Sequence, residues 1–200
     1  MKPRTVLPKL HVNEIFYSLQ GEGARKGSAN IFVRFAHCNL KCDFCDTEFE
    51  SYRELDVEEI LRECKQFPCK HIVITGGEPL LQLTEQIVKH FKKAGYYLAI
   101  ETNGTITPPK KLDWITVSPK VAEHVLVRKL KDVHINELKY VRNKSQGIPQ
   151  PRVSADHYFI SPEFDGDYPN EANIEHCIRL VKENPKWKLS LQEHKLLKIR

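Results

Sequence analysis

Short β-branched runs that stop at glycine, proline or polar residues alternate along this chain with segments of helical period, and that alternation leaves few folds open. Residues 11–17 and 31–36 read as strands. Asp56 with Glu59 three residues on has the form of a capping box opening a helix to about residue 66. Residues 71–75 form a β-branched strand that runs into Gly76 and Gly77, and residues 83–94 an amphipathic helix stopped by Gly95. Further strands are predicted at 96–101, 114–117, 137–141, 158–160 and 187–191, and a late helix from near Asn170 to around Pro185. Strands separated by helices pair in parallel through crossovers. A complete eight-fold barrel takes about 250 residues, more than the 200 present, and the 102–113 connection is too short for a helix. The expectation is therefore α/β: one domain over residues 1–200, an incomplete parallel (β/α) barrel of about six strands.

In such a sheet the site lies at the C-terminal strand ends. Those ends carry Thr75 to Glu78, Glu101 to Gly104, Ser118-Pro119-Lys120 and Ser161-Pro162. The charge balance, +5, is mild and scattered over Lys92-Lys93, Lys110-Lys111, Arg128 to Lys131 and Lys139 to Lys144. It reads as solvated surface, so no direct nucleic-acid partner is expected. No apolar run approaches the roughly 18 residues of a membrane span, and the start (Lys2, Pro3, Arg4) has no signal-peptide character. No membrane partner is expected, and the expected location is cytoplasmic.

Crowded thiols in such a setting point to metal or redox chemistry, since a disulfide scaffold belongs to secreted chains. Cys38, Cys42 and Cys45 fall within eight residues, just past a strand. A structural zinc wants four protein ligands, and no further Cys or His pair follows at finger spacing. A four-iron cluster is usually held by four cysteines, so three leave one iron open. A three-cysteine zinc knuckle with a distant fourth ligand remains an alternative. Cys64 and Cys177 fall on apolar helix faces and read as core; Cys69 lies in a loop.

Cys-x3-Cys-x-Phe-Cys, followed about 30 residues later by Gly76-Gly77-Glu78-Pro79, resembles the radical S-adenosylmethionine (SAM) superfamily. The resemblance implies a [4Fe-4S] cluster on Cys38, Cys42 and Cys45 whose open iron chelates SAM, cleaved reductively to a 5′-deoxyadenosyl radical. Within the superfamily, Ser18 to Gly23, Thr47, Glu101 to Gly104, Ser118 to Lys120 and the Gln192 to Lys195 segment are similar to the 7-carboxy-7-deazaguanine synthases of 7-deazapurine (queuosine and archaeosine) biosynthesis, a pathway that serves tRNA modification. That family turns 6-carboxy-5,6,7,8-tetrahydropterin into 7-carboxy-7-deazaguanine with loss of ammonia, aided by Mg²⁺. A glycyl-radical activase shares the cysteine spacing and is the other enzymatic reading.

The resemblance implies that Leu19, Gln20, Gly21, Glu22 and Thr75 bind substrate. It places Phe44, Cys45, Asp46, Gly77, Ser118, Pro119, Lys120, Ser161 and Pro162 around the cofactor, with serine where the family often has glutamine before that last proline. Thr47 is the implied Mg²⁺ ligand, and a homodimer and an external electron donor of flavodoxin or ferredoxin type are implied partners. Arg34 has an argument of its own. Alternation along 31–36 sets Phe32, Arg34 and Ala36 on one face. An arginine within a buried parallel strand needs an anion. The substrate carboxylate meets that need, gripped bidentately for about 1.5–3 kcal/mol; an internal salt bridge is the other possibility.

Overall fold

A computed structural model describes residues 7–43, 45 and 47–200. The chain runs β1 (Leu10–Leu19), β2 (Ala29–Phe35), β3 (Arg53–Leu55), α1 (Val57–Cys64), β4 (His71–Gly76), α2 (Glu85–Lys93), β5 (Tyr97–Thr102), β6 (Trp114–Val117), α3 (Glu123–Leu130), β7 (Glu137–Arg142), β8 (His157–Pro162), α4 (Glu171–Glu183), β9 (Lys188–Leu189) and α5 (Glu193–Leu196). All nine strands form one sheet in the order β3-β1-β2-β4-β5-β6-β7-β8-β9. From β2 to β9 every pairing is parallel. The sheet is open, with β3 and β9 at its edges among the described residues.

The helices begin where their sequence signals stand. Asp56 Oδ1 accepts from the Glu59 amide at 2.8 Å and Glu59 Oε2 accepts from the Asp56 amide at 2.8 Å, a complete capping box. Thr84 caps α2 and Asn170 caps α4. Each such cap is worth about 1 kcal/mol. Gly95, at φ 83°, lies just past α2.

Strand alternation divides the interior. Ile31, Val33, Phe35, Ile72, Ile74, Leu98 and Ile100 face outward and meet Ile60, Ile87, Val88 and Phe91 of the helices in one large core. Phe16, Phe32, Val73 and Ala99 point to the concave side and make a second, smaller cluster. The strand ends above that cluster carry the polar side chains.

Three differences from the sequence reading have physical causes. β1 pairs antiparallel with β2, because residues 20–28 form a turn closed by Gln20 N–H to Ser28 O and Gly27 N–H to Gln20 O, each 2.8 Å, with no crossover helix. β3 and α3 are absent from the sequence reading: three exposed or half-buried residues show no period, and the N-cap of α3 is Ala122, which offers no capping oxygen. The last strand is only Lys188–Leu189; the chain beyond it crosses the concave face to β1, with Glu193 N–H donating to Gly21 O at 3.0 Å. Cys64 and Cys177 are fully buried, as expected, with their thiols pushed up by burial to about 12 and about 11. Cys69 is half-buried, its thiol against Ala29 O at 3.3 Å.

Candidate active site

The three cysteines leave β2 on a loop held from below by the end of β4. A Cβ on Gly77 would stand 2.1 Å from the His37 carbonyl oxygen and 2.8 Å from Cys38 Cβ, so only glycine lets the two backbones meet. Glu78, wholly buried, ties this crossing to β5, accepting from the Leu80 amide, the Thr102 hydroxyl and the Asn103 amide at 3.0, 2.8 and 2.7 Å. Asn103 in turn donates to Asn39 Oδ1 at 3.0 Å, inside the cysteine loop. The motifs that stand about 30 residues apart in sequence thus form one hydrogen-bonded unit.

Two adjoining cavities open at the C-terminal strand ends. The first, about 220 Å³, is lined by Cys38, Cys42, Cys45, Gly77, Ser118, Lys120, Ser161 and Pro162. The second, about 520 Å³, is lined by Leu19, Gln20, Gly21, Glu22 and Arg34. Glu22, Thr47, Thr75, Glu101 and Gln192 belong to both walls. Of the residues expected around the substrate, Leu19, Gln20, Gly21 and Arg34 thus line only the second cavity, whereas Cys45, Gly77, Ser118, Lys120, Ser161 and Pro162, expected around the cofactor, line only the first. Pro119 is buried beside Ser118 but lines neither cavity. Phe44 and Asp46 lie outside the described residues.

The family model for the radical SAM superfamily matches residues 32–123. The 7-carboxy-7-deazaguanine synthase of Bacteroides thetaiotaomicron is 40% identical over 189 residues, covering 94% of this chain and 98% of that protein. The synthase of Haemophilus influenzae is 38% identical over 204 residues, covering 96% and 95%. The crystal structure of QueE from Escherichia coli superposes with a TM-score of 0.70 at 24% identity, covering 93% of this chain and 95% of that one, a likeness of fold. The chain belongs to the 7-carboxy-7-deazaguanine synthase family, within the radical SAM superfamily.

Membership in that superfamily implies a [4Fe-4S] cluster and SAM, and the donors present fit them. Burial, with the charge of Cys45 adding to it, pushes the thiols of Cys38 and Cys42 up. Three thiolates crowded there call for a cationic centre. Among the described residues no three acidic, histidine or cysteine side chains already stand at metal-ligand spacing; the three thiols share the cavity wall instead. Lys120, on the same cavity wall, donates to Ser118 Oγ at 2.7 Å, and burial lowers it to about 8.

The synthase-family residues on the substrate side are bound into a charge network. The partly buried Glu22 pairs with the buried Lys139. Burial by itself would raise Glu22 and lower Lys139; their mutual attraction reverses both, helped by His194 and Gln192 at Glu22 and by Glu101 at Lys139, so each stays ionised. Gln20 donates to Glu101 Oε1 at 2.8 Å, and Gln192 donates to Glu22 Oε1 at 3.3 Å. Arg34 donates to Glu14 Oε1 at 2.9 Å, and Arg200 reaches the other oxygen of Glu14 at 3.3 Å. The anion that Arg34 requires is thus an internal one here, supplied by the antiparallel neighbour β1, and the strand is not sealed on both faces: the side chain is 22% exposed.

Lys139 corrects the sequence reading. Placed there among surface charges, it is 6% exposed and lines the first cavity. The signal was present: Glu137 and Lys139 share one face of β7 and Leu138 and Tyr140 the other. Glu14, Gln192 and His194 were assigned no function in the sequence and stand on the second cavity. They come from β1 and the crossing C-terminal segment, which no local motif brings together.

Proposed function

We propose that this chain, read as a single radical SAM domain over residues 1–200, converts 6-carboxy-5,6,7,8-tetrahydropterin into 7-carboxy-7-deazaguanine with loss of ammonia, as a carbon–nitrogen lyase of 7-deazapurine biosynthesis. The observation that carries this reading is the pair of adjoining cavities, one walled by the cysteines and the other by Gln20, Glu22 and Arg34, with Thr47 and Thr75 on both walls. When bound, the cluster and SAM supply the radical that takes a hydrogen atom from the substrate carbon bearing the carboxylate. Everything else is positioning.

Arg34 is the anchor for the substrate carboxylate. Glu14 and Arg200 hold its guanidinium in place, and Arg200 offsets the charge of Glu14, so the cluster of three keeps an excess positive charge. Glu22 and Gln20 offer acceptor and donor groups to the edge of a flat heterocycle, and Lys139 keeps Glu22 ionised in a buried place. Thr47, on the seam, is the protein ligand for Mg²⁺, an ion that keeps several waters and takes few side chains. Ser118, Lys120, Ser161 and Pro162, together with Phe44 and Asp46, complete the cofactor side. An external flavodoxin- or ferredoxin-like donor and a homodimer complete the proposal. The six free cysteines suit a reducing cytoplasm, and no helix among the described residues is long and apolar enough to cross a membrane.

The test is anaerobic reconstitution with iron and sulfide, then dithionite, SAM, Mg²⁺ and the carboxytetrahydropterin, with 7-carboxy-7-deazaguanine and 5′-deoxyadenosine followed separately by mass spectrometry. Product that requires all three cysteines supports the reading. 5′-Deoxyadenosine without deazaguanine would overturn the substrate assignment.

A further inference from the structure

We propose that Glu137 is a positioning residue for the substrate loop: its carboxyl, seated beneath the Gly23–Arg25 turn, sets how Gln20 and Glu22 are presented to the cavity and ties that placement to the charge of the barrel floor. The proposal rests on reading Gln20 to Glu22 as substrate-binding.

Glu137 opens β7 and is 3% exposed. Its Oε2 accepts from the Ala24 amide at 3.0 Å, while the Gly23 amide donates to Ser190 Oγ at 2.9 Å. A Cβ on Gly23 would stand 2.1 Å from Glu137 Oε1, and Gly23 is at φ 70°, so the turn lies directly on the carboxyl and only glycine permits it. Glu193 holds the same loop from above through Gly21 O at 3.0 Å, and Lys139 holds it from the side through Glu22. Glu137 supplies the support from below.

The groups facing Glu137 make it more than a prop. Glu22 and Arg25 come from the loop, Glu101 from β5 and Lys139 from β7 itself. His157 of β8 is its register neighbour, and His194 lies over Glu22 on the crossing segment. Burial pushes Glu137 up to about 7, against the pull of the Ala24 amide and Lys139. Near neutral pH it therefore changes charge. An ionised Glu137 competes with Glu22 for Lys139 and adds a negative charge under a cavity that takes a carboxylate. Substrate affinity accordingly falls as pH rises through that range.

Glu137→Ala and Glu137→Gln would be compared with the wild type in the reconstituted enzyme, reading KM and kcat separately from about pH 6 to 8. Hydrogen exchange of residues 20–27 would be read without substrate. Glu137→Ala is expected to raise KM roughly tenfold, leave kcat within about twofold and expose residues 20–27 to exchange, as loss of a charge-assisted contact does. Glu137→Gln keeps an oxygen for Ala24, so the loop stays protected, but the rise of KM with pH seen in the wild type disappears. A purely structural role would not move that profile. Wild-type pH dependence in Glu137→Gln, or unchanged protection in Glu137→Ala, overturns the proposal. Should Glu137→Ala fail to fold, the glutamine profile still decides. Absence of deazaguanine from the wild type itself would instead sink the assigned reaction, and the exchange measurement would then judge Glu137 by itself.

Discussion

On β7, Leu138 and Tyr140 turn outward into the large core beneath the helices, while Glu137 and Lys139 turn inward to the concave face. β5 does the same, with Leu98 and Ile100 outward and Glu101 inward on the cavity wall. β2 sends Ile31, Val33 and Phe35 outward and Arg34 inward. One backbone thus presents two chemistries. The outer face gains from removing apolar surface from water, at about 25 cal/mol per Å². The inner face gains nothing comparable: buried charge is costly unless every group has its partner. The scaffold and the site are the two sides of the same strands, and they fail differently when changed.

The largest effect sought on the inner face is loss of all turnover with the fold intact. Replacing Cys38, Cys42 and Cys45 by alanine should abolish iron binding and product, yet shift Tm by only a few degrees, about what surface changes cost, since the thiols stand on a loop and not in the core. Iron analysis and calorimetry check it; a collapsed Tm would mean the loop is part of the scaffold. Lys139→Met comes next. It leaves Glu22 and Glu101 without their buried cation, so stability falls by roughly 3–5 kcal/mol at pH 7, the cost of breaking a buried pair from one side. Glu22 is held low in the native state, so this loss should shrink as pH drops below about 4.5 and Glu22 takes up its proton, which pH-dependent denaturant titration reads.

Ile100→Ala tests the other face. Its side chain is fully buried in the large core, and the substitution should cost about 2–5 kcal/mol while KM of the folded enzyme stays unchanged. A large KM change there would break the division between faces. Arg34→Ala, on the inner face, should do the reverse: little loss of stability, but loss of substrate binding with SAM cleavage retained, seen as 5′-deoxyadenosine without deazaguanine. The smallest effect is that of Glu137→Gln on stability. Glu137 is raised in the native state, so its burial weighs against folding as pH climbs from about 4.5 to about 7 and levels off above. The glutamine variant should therefore gain on the wild type by about 1–3 kcal/mol at pH 8 and not at pH 4.5, measured by thermal melts across that range.

Much of this was legible in the chain itself. β6 is predicted and found at Trp114–Val117, and Asp56 caps α1 as its capping box predicts. The cysteine triplet and the Gly76-Gly77 stop announced the cofactor side, because both are local patterns whose chemistry depends on spacing. What was misread were residues whose meaning lies in their neighbours. Lys139 looked like one lysine in a basic stretch until β7 turned it inward. Arg34 called for an anion that the sequence left open between a substrate carboxylate and an internal acid, and only the antiparallel pairing through residues 20–28 set Glu14 of β1 beside it.

Sequence by itself determined most of the strands and helices, though not β3 or α3, together with the cluster motif and the family, since periodicity, caps and motif spacing act over a few residues. Tertiary structure alone decided which charges face each other. Glu14, Glu22, Glu101, Glu137, Lys139, His194 and Arg200 come from the beginning, middle and end of the chain, and a group's ionisation follows from burial and from charges within a few ångströms, distances that only the folded sheet and the segment crossing it define.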